Sequence, residues 1–356
     1  MPGTAYPRST DSGWFLNISF TLRFGTSWSS AGEEIAWAQF PLDKNVLLGD
    51  KTQLRSLDFS SVQEASTTLS SSSWNHSFVF DKIKARISSW SVQGRAIFSK
   101  DGGPQLTFWR APTDNDRPSD LGVWTRYGLD VMTEQVRSVT QGSTEDGAMR
   151  IVAKSWISPP VLGWGFETTT IYSLYGEGTL KIQTHATPKG SLPKSLPRVG
   201  LEMKIPSQLS RVEWYGRGPG ESYRDKKEAG KIGVWSSSID ELNFIYDVPQ
   251  ENGNRSGVRW VTVKDEAGSG IQASLVQLGG NDASEGFDFA VQKYTAKQLE
   301  EASHPCDLKD NEYIVFRLDA EHRALGTGSC GPGVLDKYEL RPRTFEFEVE
   351  LKAVTI

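Results

Sequence analysis

Alternation of apolar and polar residues is the feature that most limits what this chain of 356 residues can fold into. In the C-terminal segment FEFEVEL, the residues Phe345, Phe347, Val349 and Leu351 fall on one face and glutamates fall on the other. The segments WFLNISFTLRF and VGLEMKI show the same period of two residues. Such a period is typical of antiparallel strands with one face on the core and one face in water. The sequence therefore predicts an all-β protein.

Helical signals are scarce, and turn signals are frequent. Residues 295–303, TAKQLEEAS, are the best helix candidate, since Thr295 and Gln298 have the spacing of a capping box. The segments FETTTIYSLY and TLKIQTHA, joined by GEG, predict a β-hairpin. No sustained alternation of strands and helices is present, so this sequence does not encode a (β/α)8 barrel.

The chain divides into three predicted parts. Residues 1–55 contain about three strands, too few to close a core, so they are expected to be part of a β-sandwich. Residues 56–75, SLDFSSVQEASTTLSSSSWN, are rich in Ser and Thr and are predicted to be a linker. Residues 76–356 are expected to form one large β-domain.

Composition excludes several classes of partner. The net charge is −5 and no basic stripe is visible, so nucleic acid is not an expected partner. No apolar run approaches the roughly 20 residues that a membrane span needs, and the N-terminus has no apolar signal segment. Two cysteines do not form a disulfide framework, which favours a reducing, cytoplasmic location. The 12 tryptophans fit either core packing or contact with carbohydrate.

The segment FWRAPTDNDRP, residues 108–118, concentrates candidate polar residues. As a calcium loop it fails, because Ser119 and Thr125 stand where an EF-hand needs Gly and Glu. As a glycosidase pair it is weak, since Asp114 and Asp116 are neighbours on one side of a strand or turn. The residue types favour a turn in which side chains satisfy local N–H groups.

Other polar residues leave alternatives open. In residues 247–260, Glu251, Asn252 and Arg259 are expected to bond each other in a structural network, or else to bind a ligand. The histidines and cysteines have no metal-binding spacing, so no metal site is predicted. A sugar-epimerising site would need His185 or His304 to meet a glutamate in one pocket.

Five segments together resemble one family. FWRAPTDNDRP, VEWYGRGPGESYRDK, YDVPQENGNRSGVRW, FDFAVQKYTAKQLEEASH and LGTGSCGP resemble, in order, the C-terminal region of the large glycoside hydrolase family 2 β-galactosidases. The resemblance covers residues 75–356. Residues 14–42 are similar to the second half of the immunoglobulin-like domain that precedes this region, which would account for the shortage of strands there.

The resemblance implies a fold and a division of labour. Residues 76–356 would form a large antiparallel β-supersandwich of the galactose mutarotase type. The two catalytic glutamates of the family lie in a TIM barrel upstream, so no residue of this sequence inherits a catalytic role or a magnesium ligand. Cofactors are expected to be absent from this chain, with Mg and Na present only in the complete enzyme.

The family also implies two contributions to the sugar pocket. One is a mobile loop that corresponds to Arg117, Pro118, Ser119, Asp120 and Gly122, with Arg110, Asp114, Asn115 and Asp116 holding its stem. Many members have a hinge Gly near the position of Pro118, so the hinge motion is in doubt or moves to Gly122. The other is an aromatic residue against galactose, and Cys330 stands at the matching position here.

The expected function is therefore that of the C-terminal part of a retaining β-galactosidase acting on terminal β-galactosides such as lactose. Its partners would be the galactoside and the catalytic barrel, supplied by another chain or by the remainder of a longer enzyme, in an oligomer when complete. A first domain that lacks half its strands favours a truncated copy over a separate small subunit. A free-standing carbohydrate-binding module and a mutarotase-like epimerase remain as alternatives.

Overall fold

A computed structural model describes residues 14–42, 62–66, 68–73, 76–176, 178–279, 286–326 and 333–355. The chain divides into two compact units, residues 1–52 and 53–356. In the first unit, β1 (Phe15–Thr21) and β2 (Glu34–Pro41) form an antiparallel hairpin. β1 confirms the strand predicted from WFLNISFTLRF. The other predicted elements of residues 1–55 lie outside the described residues.

The hairpin keeps its large apolar side chains exposed. The side chains with at least 40% of their surface exposed are Trp14, Leu16, Ile18, Phe20, Phe24, Trp28, Ile35, Phe40 and Leu42. A β-hairpin of this size does not bury an apolar face by itself, and that these strands are part of a larger β-sandwich stays a prediction.

The second unit contains most of the secondary structure. Its strands are, in chain order, β3 (Val62–Glu64), β4 (Thr68–Ser73), β5 (His76–Asp81), β6 (Arg86–Val92), β7 (Arg95–Ala96), β8 (Gln105–Thr107), β9 (Thr133–Ser143), β10 (Met149–Ser158), β11 (Gly165–Tyr175), β12 (Thr179–Lys189), β13 (Arg198–Pro206), β14 (Arg211–Gly218), β15 (Lys231–Ser238), β16 (Arg255–Val258), β17 (Trp260–Lys264), β18 (Gly270–Leu278), β19 (Phe287–Gln292), β20 (Tyr313–His322) and β21 (Phe345–Val354). The helices are short: α1 (Asp116–Ser119), α2 (Leu121–Arg126), α3 (Ile239–Leu242) and α4 (Ala296–Glu301).

These strands form three antiparallel sheets around one hydrophobic core. The largest sheet has nine strands in the order β15-β14-β17-β18-β21-β12-β11-β10-β9. A five-stranded sheet follows the order β16-β19-β20-β13-β8, and a second one the order β3-β4-β5-β6-β7. The apolar residues of β21 are buried as the alternation predicted. The all-β, antiparallel fold class is therefore confirmed.

Tryptophans contribute strongly to this core. Trp90, Trp124, Trp164 and Trp214 are among the largest fully buried side chains, and Phe108 stacks on Phe166 with ring centroids 4.3 Å apart. Burial of large aromatic rings supplies much of the apolar area that stabilises a domain of this size. The core interpretation of the tryptophan count therefore holds for these four residues.

Two local predictions are confirmed. β11 and β12 pair antiparallel from Gly165 with Lys189 to Tyr175 with Thr179, which is the hairpin predicted around GEG. α4 begins after Thr295, whose hydroxyl accepts from the N–H of Gln298, while the Gln298 side chain accepts from the N–H of Thr295. The capping box therefore sets the start of the one helix that the sequence indicated.

The predicted linker, residues 56–75, is wrong for residues 62–64 and 68–73. β3 and β4 lie there, and β4 pairs along its length with β5. Backbone pairing does not need a regular apolar pattern, and Leu69 of β4 is buried. Val62–Glu64 and Thr68–Ser73 thus belong to a sheet of the large unit.

None of the helices within the described ranges is long and apolar enough to cross a membrane.

Candidate functional site

The stem formed by residues 108–118 is held by a buried ion pair. In Arg110, Nη2 lies 2.7 Å from Oδ1 of Asp116 and Nε lies 3.1 Å from Oδ2. The N–H of Thr113 also donates to Asp116 Oδ2 at 2.9 Å, and the N–H of Asp116 donates to the Thr113 hydroxyl at 3.3 Å. Side chains therefore close the local turn, as predicted, and Asp116 is the counter-ion of Arg110.

Arg323, which follows β20, extends this ion pair. Its guanidinium lies 3.4 Å from Asp116 and 2.9 Å from Asp120, and it makes two contacts with Glu339 at 3.0 and 3.1 Å. Arg323 itself has only 2% of its side chain exposed. Burial of two cations is tolerated here because carboxylates surround them.

The ring of Trp124 completes the arrangement. The guanidinium carbons of Arg110 and Arg323 lie 5.7 and 5.4 Å from the ring centroid, within cation–π range. We call this group the stem cluster, and it consists of Arg110, Asp116, Asp120, Trp124, Arg323 and Glu339.

Asp114 and Asn115 of the stem form hydrogen bonds with segments outside the stem. The backbone N–H of Asp114 donates to the side-chain oxygen of Gln250 at 3.0 Å, and the side-chain N–H of Gln250 donates to the Asp114 carboxylate at 3.1 Å. The Asn115 amide donates to the carbonyl of Leu325 at 3.1 Å. The stem is thus tied to the residues 247–260 segment on one side and to the chain beyond β20 on the other.

A second carboxylate fixes the chain just before residue 327. The N–H groups of Leu325 and Gly326 donate to Asp225 at 3.2 and 2.8 Å. Arg110 donates to the Arg323 carbonyl at 2.7 Å in the same region. The segment that leads to Cys330 therefore starts beside the stem cluster. Cys330 itself lies outside the described residues.

The predicted mobile loop is helical in this structure. Arg117, Pro118 and Ser119 lie in α1, and Gly122 lies in α2, with Asp120 between the two helices. Pro118 is in the first turn, where a helix does not need its N–H, so the proline ring is accommodated. A side-chain Cβ at Gly122 would meet no atom within 4 Å. The helical form was not predicted, and the motion of these residues over the sugar pocket stays a prediction.

Glu251 and Asn252 lie in a buried polar network, but their described hydrogen bonds go to residues other than those predicted. Glu251 pairs with Arg317 of β20 at 2.9 Å, and both side chains are 1% exposed. Arg317 also donates to Gln292 at 2.7 Å, and Gln292 donates to the Asn252 carbonyl at 2.7 Å. Arg259 contacts other residues than Glu251 and Asn252 in the described bonds. It donates to the Gly257 carbonyl, and its guanidinium carbon lies 6.0 Å from the centroid of the Tyr215 ring.

The histidines named for an epimerase are both exposed. His185 lies on β12 opposite Glu346, and His304 precedes a short helical turn beside Asp307. His322 is the buried histidine near the stem cluster, and burial lowers its pKa well below the ordinary value, with further lowering by Arg110 and Arg198. His322 is therefore neutral near pH 7, with Nδ1 facing the Arg323 carbonyl at 2.9 Å.

A carboxylate pair beneath these loops gives stability a pH dependence. Asp288 of β19 pairs directly across from Asp319 of β20. Burial raises the pKa of Asp288 to about 7; the Asn254 amide opposes this rise, and the Asp319 carboxylate adds to it. An unfolded Asp has a pKa near 3.9, so the folded chain binds the extra proton and loses stability as pH rises from about 4 to about 7.

The variant Asp288→Asn tests this dependence. We expect its free energy of unfolding to match the wild type near pH 4 and to exceed it by about 1–2 kcal/mol at pH 8. Urea unfolding at both pH values measures the difference, with the exposed Asp247→Asn as the matched control. An equal effect of Asp288→Asn at the two pH values would contradict the assignment.

Several functional residues escaped sequence reasoning. Asp225, Gln250, Arg317, Arg323 and Glu339 hold the site, yet each contacts residues far away in the chain, so spacing carried no signal. In the described part of the chain, no group of three or more His, Cys, Asp or Glu side chains is arranged to hold a metal ion.

Comparison with known proteins defines the class to which this arrangement belongs. The family model described as the β-galactosidase small chain matches residues 72–351, and the model of β-galactosidase domain 4 matches residues 3–43. The chain therefore belongs to the β-galactosidase small chain family.

Individual relatives agree with the family models. A β-galactosidase from Kluyveromyces lactis is 35% identical over 323 residues, which cover 90% of this chain and 30% of that protein. A β-galactosidase from Actinobacillus pleuropneumoniae is 27% identical, over 97% of this chain and 32% of that protein. The chain thus spans about a third of the length of these relatives.

Among solved structures, a galactose mutarotase related enzyme from Lactobacillus acidophilus is similar with a TM-score of 0.40 and 9% identity, over 81% of this chain and 97% of that one.

Proposed function

We propose that this chain acts as the C-terminal part of a β-galactosidase that hydrolyses terminal β-D-galactosides such as lactose. One observation carries the proposal: residues 117–122, which the stem supports, and the segment leading to Cys330 both begin at the stem cluster. The family resemblance assigns these two segments, and no others in this chain, to the sugar pocket. Their common origin supports a role as one wall of that pocket.

The stem cluster would act by positioning. Arg110, Asp116 and Arg323 are buried and bonded to one another, so they do not face a substrate. Preorganised supports of this kind fix the groups that do contact the sugar, and small displacements of such groups cost much activity. In the proposed enzyme the two glutamates of retaining hydrolysis, one acid/base and one nucleophile, come from the barrel. Mg and Na belong to that complete enzyme in this proposal, and its location is the cytoplasm.

Exposed apolar residues support an assembly role. The hairpin β1–β2 presents Phe20 and Phe24 with 58% and 72% of their surfaces exposed. Separately, Phe244 and Ile245 in the large unit are 50% and 84% exposed. Clusters of exposed apolar side chains mark surfaces that another protein part covers. We assign them to contact with the remainder of the enzyme, in its oligomeric form.

The proposal predicts no turnover by the isolated chain. Purified protein is assayed with a chromogenic β-galactoside, and we expect release of the chromophore at the uncatalysed rate, because the acid/base and nucleophile are elsewhere. Addition of the separately purified remaining two-thirds of the Kluyveromyces lactis relative is expected to produce turnover. Steady hydrolysis by the isolated chain, free of any β-galactosidase contaminant, would contradict the proposal.

A further inference from the structure

A cavity of about 280 Å³ lies in the large unit, where strands of all three sheets meet. Its lining includes Arg86 of β6, Gln105 of β8, Glu134 of β9 and Glu202 of β13. A single water molecule needs only about 10–15 Å³ of such space, and small-molecule pockets begin at roughly 300 Å³. At about 280 Å³ the cavity lies just below that limit, so the largest organic ligand that fits it is about one sugar ring.

Glu134 occupies an unusual place for a carboxylate. Positions 132, 134 and 136 are the partly buried ones at the start of β9, and their neighbours 133, 135 and 137 are exposed. On that inward face Met132 and Val136 are apolar, as is usual for a face toward the core, whereas Glu134 is charged. Burial raises the pKa of Glu134, and the Ser155 hydroxyl and the Arg86 guanidinium oppose this rise. Residues that break a local pattern at such cost are frequently functional.

Arg86 supplies a hydrogen-bond donor in the same cavity. Its Nη1 donates to the Gln105 side chain at 2.8 Å, whereas its Nε is buried and has no hydrogen-bond partner. Because its surface is closed to a molecule the size of water, Nε is also closed to a ligand, and the Nη groups are the donors that the guanidinium leaves for one. Gln105, fixed by Arg86, offers an amide that both donates and accepts.

Trp109 supplies a fixed aromatic wall. Its indole N–H donates to Glu300 at 3.3 Å, and its ring packs edge-on against Trp124 with centroids 6.2 Å apart. Two contacts at different edges of the ring restrict its orientation. A fixed indole beside converging polar groups suits a ligand with both C–H and O–H groups.

The charge of the lining narrows the ligand class. Four carboxylates, Asp101, Asp130, Glu134 and Glu202, face two cations, Arg86 and Lys204. Since Lys84 lies 3.4 Å from Asp101 and Arg198 lies 3.9 Å from Glu202, the charges around the cavity nearly cancel, which favours neither an anion nor a cation. Within the described ranges these carboxylates also do not form a group that could hold a metal ion. A neutral ligand with several hydroxyls matches the remaining mix of donors, acceptors and aromatic surface.

We propose that this cavity binds a small neutral polyol, with a single pyranose as the largest ligand of the class, between Arg86, Gln105, Glu134 and Trp109. Hydroxyls of the ligand accept from the Arg86 guanidinium and donate to Glu134, and its C–H face lies against Trp109. Binding of a ligand this small is in the millimolar range.

The test is a titration of the isotope-labelled chain with D-galactose and, separately, with D-glucose, followed by NMR of backbone amides. We expect saturable shifts at Gln105 and Thr107, which line the cavity. Glu134→Gln replaces the carboxylate by an amide and Arg86→Lys replaces the guanidinium by an ammonium group, each with little change of volume, and both are expected to weaken binding about tenfold. Glu228→Gln, at an exposed residue, is the matched control and is expected to bind as the wild type does.

The outcomes separate the possible ligand classes. Absence of saturable shifts up to about 50 mM of either sugar, far above a millimolar dissociation constant, would overturn the proposal. Shifts confined to residues outside the cavity, or binding that both variants leave unchanged, would also overturn it. Saturable shifts with Mg²⁺ or ethanolamine in place of the sugars would assign the cavity to cations and contradict it. Thermal unfolding of each variant checks that it is folded. Because the two variants change different residues, either one tests the proposal if the other does not fold.

Discussion

Replacement of Arg110 by methionine is expected to lower the free energy of unfolding by about 3–5 kcal/mol, because Asp116 then remains buried without its bidentate partner. The Asp116 side chain is 1% exposed, so water cannot take the place of the guanidinium. Arg323, 3.4 Å away, compensates only in part, since it is already shared with Asp120 and Glu339. Chemical unfolding in urea measures the loss.

Two further variants show whether the loss comes from the ion pair. Arg110→Met combined with Asp116→Leu removes both charges, and we expect this double variant to be more stable than Arg110→Met alone. Arg117→Met removes an exposed arginine of the same segment and is expected to change stability by less than about 0.5 kcal/mol. A loss below about 1 kcal/mol for Arg110→Met would show that the stem cluster does not hold the stem.

The sequence predicted those features that depend on local pattern. The burial of alternate residues in β21, the hairpin of β11 with β12 and the capping box at Thr295 each follow from the spacing of a few neighbouring residues. β4 was missed because its Ser-rich sequence has no period, and its strand form depends on pairing with β5. Pairing with a distant segment leaves no mark on a short stretch of sequence.

The candidate site was predicted only in part for the same reason. Asp116 could be assigned to a local turn because Thr113 is three residues away. Its ion pair with Arg323, however, depends on how the end of β20 returns to the stem, and its ion pair with Arg110 joins residues six positions apart, a spacing that indicates no regular element. The helical form of residues 117–122 was also missed, since a proline in a short polar stretch reads as a loop unless the helix start at Asp116 is known.

The central claim is that this chain supplies a working C-terminal third to a β-galactosidase, and a chimera tests it most directly. In the Kluyveromyces lactis relative, the C-terminal region that aligns with this chain is replaced by this chain, and hydrolysis of a chromogenic β-galactoside is measured. The two proteins are 35% identical across 90% of this chain, so the surfaces that meet the rest of the enzyme are expected to be compatible.

We expect the chimera to retain a kcat/KM within about tenfold of the parent, which corresponds to about 1.4 kcal/mol of activation free energy. The parent enzyme without its C-terminal region is the control, and we expect it to be inactive. A chimera that is folded, reaches the parental oligomeric state and yet has no turnover would contradict the account.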